Sequence, residues 1–107
     1  MQCDRTGEPG RVRCSVEAHV AGDGKLVWGD VVLLGSPPFA APLRGRIGFE
    51  DASAREPRTL RWALALVARS VGRGELSGRV RVVVCDPRGV CRARTAEVVA
   101  EVSVGSA

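Results

Sequence analysis

Apolar and polar residues alternate with a period of two along most of the chain, and that period predicts strands. In residues 11–20, Val12, Cys14, Val16, Ala18 and Val20 fall on one face, and Arg11, Arg13, Ser15, Glu17 and His19 on the other. Ala21-Gly22-Asp23-Gly24 tolerates positive φ and leads into the Val-rich stretch 25–34, so these two strands are expected to form a hairpin, with a kink or bulge at Gly29-Asp30. Three prolines in residues 35–42 prevent a full ladder there and predict a crossing between sheets before a short strand at 46–50. Residues 59–69 are ambiguous. Leu60, Trp62, Leu64 and Leu66 alternate like a strand, while Leu60, Leu64 and Val67 fit a helical stripe. Strand-like neighbours on both sides favour the strand. Residues 72–78 read as a glycine-containing loop. In 78–85, Val80, Val82 and Val84 oppose Arg79, Arg81, Val83 and Cys85, and 94–104 closes the chain with Ala96, Val98, Ala100, Val102 and Val104 inward.

This pattern predicts an all-β, immunoglobulin-like sandwich of six to eight short antiparallel strands. A polar arm at 1–10 precedes a single domain at 11–104, followed by a tail at 105–107. No repeat or linker divides the chain, and 107 residues are enough for one small domain with a thin core. No apolar run approaches the roughly 20 residues of a membrane-spanning helix. With 45% hydrophobic and 26% charged residues the chain is expected to fold. The net charge of +4 comes from 15 Arg and one Lys spread from Arg5 to Arg94, and Val outnumbers Ile by 17 to one. A bias that uniform reflects coding composition more than a site. With only Trp28, Phe39, Phe49 and Trp62 available to stack on bases, the sequence argues against a nucleic-acid partner. Both tryptophans sit in β patterns and are expected in the core.

Four cysteines carry the candidate chemistry. In Cys85-Asp86-Pro87-Arg88-Gly89-Val90-Cys91 the Asp, Pro and Gly occupy favourable positions of a type I turn, so the chain reverses and the two thiols come to cross-strand distance. Arg88, Arg92 and Arg94 nearby would favour a thiolate. Cys3 and Cys14 form the other pair, a structural bridge pinning the arm to the first strand. A competing pairing joins Cys14 to Cys85 across a core Trp28, in the manner of an immunoglobulin domain. The spacings Cys-x10-Cys and Cys-x5-Cys do not match structural zinc sites, so no metal is expected and no organic cofactor motif is present. His19 alternates onto the polar face as a solvated side chain.

The stretch from Leu76 to Val104, a strand, a Cys-x5-Cys turn and a final strand, resembles the last third of the amino-terminal periplasmic domain of the bacterial thiol:disulfide interchange protein DsbD. The preceding stretch from Thr59 is similar to the strand before it, and the likeness covers about residues 59–104. The resemblance implies an immunoglobulin-like domain passing electrons to or from thioredoxin-fold partners. Cys91 would then form the mixed disulfide and Cys85 would resolve it. It also implies an aromatic cap over the sulfurs, a role for which Phe39 and Phe49 are the candidates.

Two functional expectations follow. The first is an extracytoplasmic thiol-disulfide exchange domain, periplasmic or secreted, using Cys85 and Cys91. The second is a disulfide-stapled, non-enzymatic sandwich that binds or assembles with other proteins through strand edges. Paired disulfides without an export signal read as a mature or excised segment with an added Met1.

Overall fold

The computed structural model describes residues 1–105, and residues 106–107 of the expected tail lie outside them. Nine strands occur among the described residues: β1 (Gln2–Cys3), β2 (Gly10–His19), β3 (Lys25–Gly35), β4 (Ala40–Pro42), β5 (Arg46–Ile47), β6 (Ala54–Glu56), β7 (Thr59–Ala68), β8 (Gly72–Cys85) and β9 (Cys91–Val104). All strand pairs are antiparallel. One sheet runs β1-β2-β7-β4, with β6 sharing the outer edge of β7, and the other runs β5-β3-β8-β9. This places β1-β2-β7-β4 and β3-β8-β9 where an immunoglobulin sandwich has its A-B-E-D and C-F-G strands. The proline-rich segment after β3 does cross to the first sheet as β4, then returns to the second as β5. The short strand expected at 46–50 ends at Ile47, and a 3-10 turn follows at Phe49–Asp51.

Alternation builds the core between the sheets. Val12, Val16, Leu60, Trp62 and Leu66 of the first sheet pack against Val31, Leu76 and Val102 of the second, all essentially without solvent contact. The segment 59–69 is a strand, because β2 and β7 form an unbroken ten-residue ladder from Gly10↔Ala68 to His19↔Thr59. Trp62 lies at its centre, and its indole N–H donates to the Gly48 carbonyl at 3.1 Å, so burial leaves no orphan donor.

Three expectations are corrected. First, β2 and β3 belong to different sheets and form no hairpin. The turn chemistry at 21–24 reverses the chain, but the link is anchored on the β6–β7 turn. There Val20 N–H donates to the Arg58 carbonyl at 3.0 Å, and Leu26 N–H to the Pro57 carbonyl at 2.7 Å. Second, 72–78 is the first half of β8 and not a loop. Its glycines make room for the crossing segment: a Cβ on Gly72 would lie 2.7 Å from the Phe39 ring, and one on Gly74 2.7 Å from Pro37. Third, Trp28 is not in the core. The register of β3 on β8 shifts between Leu26 and Trp28, a bulge at Val27 two residues before the expected site. One extra residue inverts facing, so Leu26 points inward, Trp28 outward, and Gly29 inward against Leu60.

The amino-terminal arm joins both sheets. Asp4 N–H donates to the Arg13 carbonyl on β2 at 2.8 Å, while Thr6 N–H donates to Ser103 and Thr6 C=O accepts from Gly105 at the end of β9. The molecule is elongated, 51 × 21 × 18 Å. At about 3.3 Å per residue, the fourteen-residue strands β8 and β9 run most of that length.

Candidate functional site: the disulfide at the β8–β9 tip

Asp86-Pro87-Arg88-Gly89 forms the expected turn. Gly89 N–H donates to the Asp86 carbonyl at 2.9 Å, and the Asp86 carboxylate accepts the N–H groups of Arg88 at 2.9 Å and Val90 at 3.0 Å. Gly89, at φ +86°, supplies the left-handed residue that completes a type I turn with a bulge. Asp86 N–H then donates to Val90 C=O, so the next pair outward, Cys85 and Cys91, is one without mutual backbone bonds, where opposed side chains come closest. Their Cα atoms are 3.9 Å apart and their sulfurs are bonded. Cys85 is half-buried and Cys91 exposed.

The register defines the surroundings. Lys25, Cys85 and Cys91 form one row across three strands on the outer face of the second sheet. Trp28, Val83 and Ala93 form the next row, and Asp30, Arg81 and Thr95 the one after. Arg92 and Arg94 alternate onto the opposite, inner face, where with Gly24, Val84, Asp86 and Val90 they line a depression of about 220 Å³. Arg88 reaches back to the Asp86 carboxylate at 3.5 Å. The expectation of arginines beside the sulfurs is therefore corrected: the cation in the disulfide's own row is Lys25. Neither phenylalanine caps the site. Phe39 packs over Gly72 at the far end of β8, and Phe49 stands under the Arg55 guanidinium. The aromatic on the disulfide's face is Trp28, which sequence reasoning placed in the core.

Beside Trp28 lies the one fully buried charged side chain among the described residues, Asp30. Arg81 Nε donates to Asp30 Oδ1 at 2.8 Å and a second Arg81 nitrogen to Oδ2, while Arg46 Nε donates to Oδ2 at 2.7 Å. The Arg81 hydrogen bonds hold the Asp30 carboxyl below its ordinary range. Burial works against them, and Arg46 adds to them. Arg81 also stands 5.9 Å from the centre of the Trp28 ring. The cluster locks the outer face of β3 and β8 two rows from the disulfide.

The other disulfide joins Cys3 to Cys14 across the β1–β2 pair, with Cys14 buried in the sandwich. This excludes the Cys14 to Cys85 pairing: Cys14 faces the core from one sheet and Cys85 faces solvent from the other. All four cysteines are thus disulfide-bonded. His19 is exposed, its Nδ1 3.0 Å from the Thr59 hydroxyl.

No protein-family model matches the chain, and no curated protein matches it. The tip brings together one exposed cysteine, one half-buried cysteine, and a lysine in the same row.

Proposed function

We propose that the chain is a thiol-disulfide exchange domain whose working pair is Cys85 and Cys91, acting outside the cytoplasm with thioredoxin-fold protein partners. The observation that supports this most is the unequal exposure of the two sulfur-bearing residues at a protruding tip. A partner thiolate approaching from solvent reaches Cys91 first. It attacks the Cys91 sulfur, a mixed disulfide forms, the Cys85–Cys91 bond breaks, and the electron pair leaves with Cys85, which takes a proton. The partner's second thiol then attacks its own bridging sulfur and releases Cys91 as a thiol. The partner ends oxidised and this chain reduced by two electrons; the reverse sequence donates them. Lys25 favours the anionic sulfur at each stage.

Trapping tests the assignment with a thioredoxin-fold protein that lacks its resolving cysteine and carries its remaining cysteine as a thionitrobenzoate mixed disulfide, so that an attacking thiolate of this chain forms the new disulfide and releases thionitrobenzoate. Cys85→Ser is expected to accumulate the mixed disulfide and Cys91→Ser to form none. A potential near about −200 mV supports exchange, whereas resistance to reduction below about −300 mV overturns it.

The second reading is a stapled binding module, favoured by one observation: the β9 edge from Ala93 to Val99 has no partner strand among the described residues. In that reading both disulfides only stabilise. Among the described residues, no helix is long and apolar enough to cross a membrane.

A further inference from the structure

Between the two sheets, one flank of the sandwich is only half closed. The arm covers it at one end, where β1 pairs with Cys14 and Ser15, and Thr6 lies beside Val104. Beyond that point two strand edges have no partner strand among the described residues. On β2, the peptide groups of Glu17 and His19 continue the line in which Arg13 bonds to Asp4. On β9, the even-numbered residues bond to β8, as the Asp86–Val90 bond at the tip establishes, so the odd-numbered ones turn their N–H and C=O groups outward. Ser103 confirms the alternation by bonding to Thr6. Ala93, Thr95, Glu97 and Val99 therefore offer a row of unpaired donors and acceptors about 20 Å long.

Between these edges lies a cleft of about 270 Å³. Its floor is apolar, made by Val80, Val82, Ala96 and Val98 of the second sheet with Ala18 opposite. Beyond Ala18, no strand of the first sheet covers this part of the ladder among the described residues, and Ala96, an inward position by its alternation, is exposed. Toward the tip the same inward face carries Arg92 and Arg94, neither of which forms an ion pair among the described residues, whereas Glu17 is held by Arg61 at 2.8 Å. The cleft thus combines a hydrogen-bonding edge, an apolar floor, and at one end two arginines without an ion-pair partner among the described residues, beside an Asp86 carboxylate that is taken by the turn N–H groups and Arg88.

We propose that this flank binds an extended, acidic peptide segment of a partner protein, which adds to β9 as a further strand of the second sheet. Alternate apolar side chains of the segment cover Ala96 and Val98, and a carboxylate meets Arg92 and Arg94. The main chain supplies the pairing and the arginines select sign and register. An inward arginine on an edge strand discourages pairing with neutral or basic strands, so the same residues act as a filter. The proposal needs no cysteine in the segment and is independent of the exchange reading.

The test uses the full chain with both disulfides intact and two fluorescently labelled, end-blocked heptapeptides. Both alternate valine and threonine, with a glutamate near one end in the first and a lysine there in the second. Anisotropy should show saturable binding of the glutamate peptide only, and bound peptide should slow amide exchange at Thr95 and Glu97 by about tenfold or more, without change at Ala96. Arg94→Glu should transfer the preference to the lysine peptide. Thr95→Pro should abolish binding while keeping the fold, because that N–H takes no part in the β8 ladder. Equal binding of both peptides overturns the proposal, as does undiminished binding by Thr95→Pro or exchange at Thr95 that the peptide leaves unaltered. Protection of the same amides that rises with protein concentration alone overturns it in favour of a second copy of the chain. If Thr95→Pro fails to fold, the Arg94→Glu reversal and the exchange map decide.

Discussion

Trp28 and Val83 are cross-strand partners on the outer face of the second sheet, one row from the bonded pair of Cys85 and Cys91. Same-face neighbours in adjacent rows lie about 7 Å apart, close enough for a disulfide to quench indole emission. Trp62 is sealed in the core of the other sheet. Reduction of Cys85–Cys91 is therefore expected to raise tryptophan fluorescence. Trp62→Phe removes the indole diagonal to Cys14 of the other disulfide, so in that variant the rise should persist and follow Cys85–Cys91 alone, and adding Trp28→Phe should abolish it, as steady-state emission during a dithiothreitol titration would show.

The two disulfides should differ modestly in what they contribute. Loop-closure entropy gives about 2.4 kcal/mol for the short Cys85–Cys91 loop and about 2.8 kcal/mol for Cys3–Cys14. Replacing Cys85 and Cys91 together by serine should lower the midpoint of thermal unfolding by about 10 °C or somewhat more. Calorimetry of the two double variants would check the order, and a larger loss at the tip would contradict it.

Asp30 makes stability depend on acid. Its carboxyl is held below the ordinary value, first by the Arg81 hydrogen bonds, so the folded state binds this proton less readily than the unfolded chain. The contribution is complete above the unfolded carboxyl value of about 3.9 and is lost as pH falls from there through the folded one. Urea unfolding as a function of pH should show this acid limb flatten in Asp30→Asn.

Removal of the arginine partner should cost more than removal of the acid. Asp30→Asn leaves two arginines that are about half exposed and can rehydrate, so a loss of about 1–3 kcal/mol is expected. Arg81→Met strands a buried carboxylate with Arg46 alone and should cost about 3–5 kcal/mol. Equal losses would show that the carboxylate reaches water.

Gly29 faces the core only because Val27 bulges. A Cβ there would stand 2.7 Å from a Leu60 methyl and 3.2 Å from the Arg81 carbonyl oxygen, so Gly29→Ala should destabilise by about 1–3 kcal/mol. Gly45→Ala, with nothing within 4 Å of the added atom, should stay within about 0.5 kcal/mol. Denaturant unfolding of the pair checks the contrast.

These positions also show what the sequence made legible. The facing of β2 and of residues 79–85 in β8 followed from alternation alone, and that of β7 followed once its strand-like neighbours decided against a helix, because apolar residues recur there at every second position. The tip turn followed from Asp86, Pro87 and Gly89, whose local chemistry needs no partner. Pairing was not local. The turn at 21–24 looks like a hairpin turn, yet β2 finds β7 and β3 finds β8, because two half-buried strands are better covered by facing sheets than by each other. The fate of Trp28 hinged on one unpaired residue, Val27, and no residue type there announces a bulge. Gly72 and Gly74 read as loop because the reason for them, Phe39 and Pro37, lies more than thirty residues away. At the candidate site, both cysteines and their bond were legible, but not the row they share with Lys25 and Trp28, which register alone determines.

The Cys3–Cys14 bond also fixes how tension would enter the molecule. A pull applied at Met1 passes through sulfur directly into the middle of β2, and residues 4–13 carry none of the load. While the bond stands, that segment is a slack bypass and the sheet resists as a unit. Once it is reduced, the same pull must first peel Asp4 from Arg13 and Thr6 from Ser103, one hydrogen bond at a time, before the ladder to β7 bears any strain.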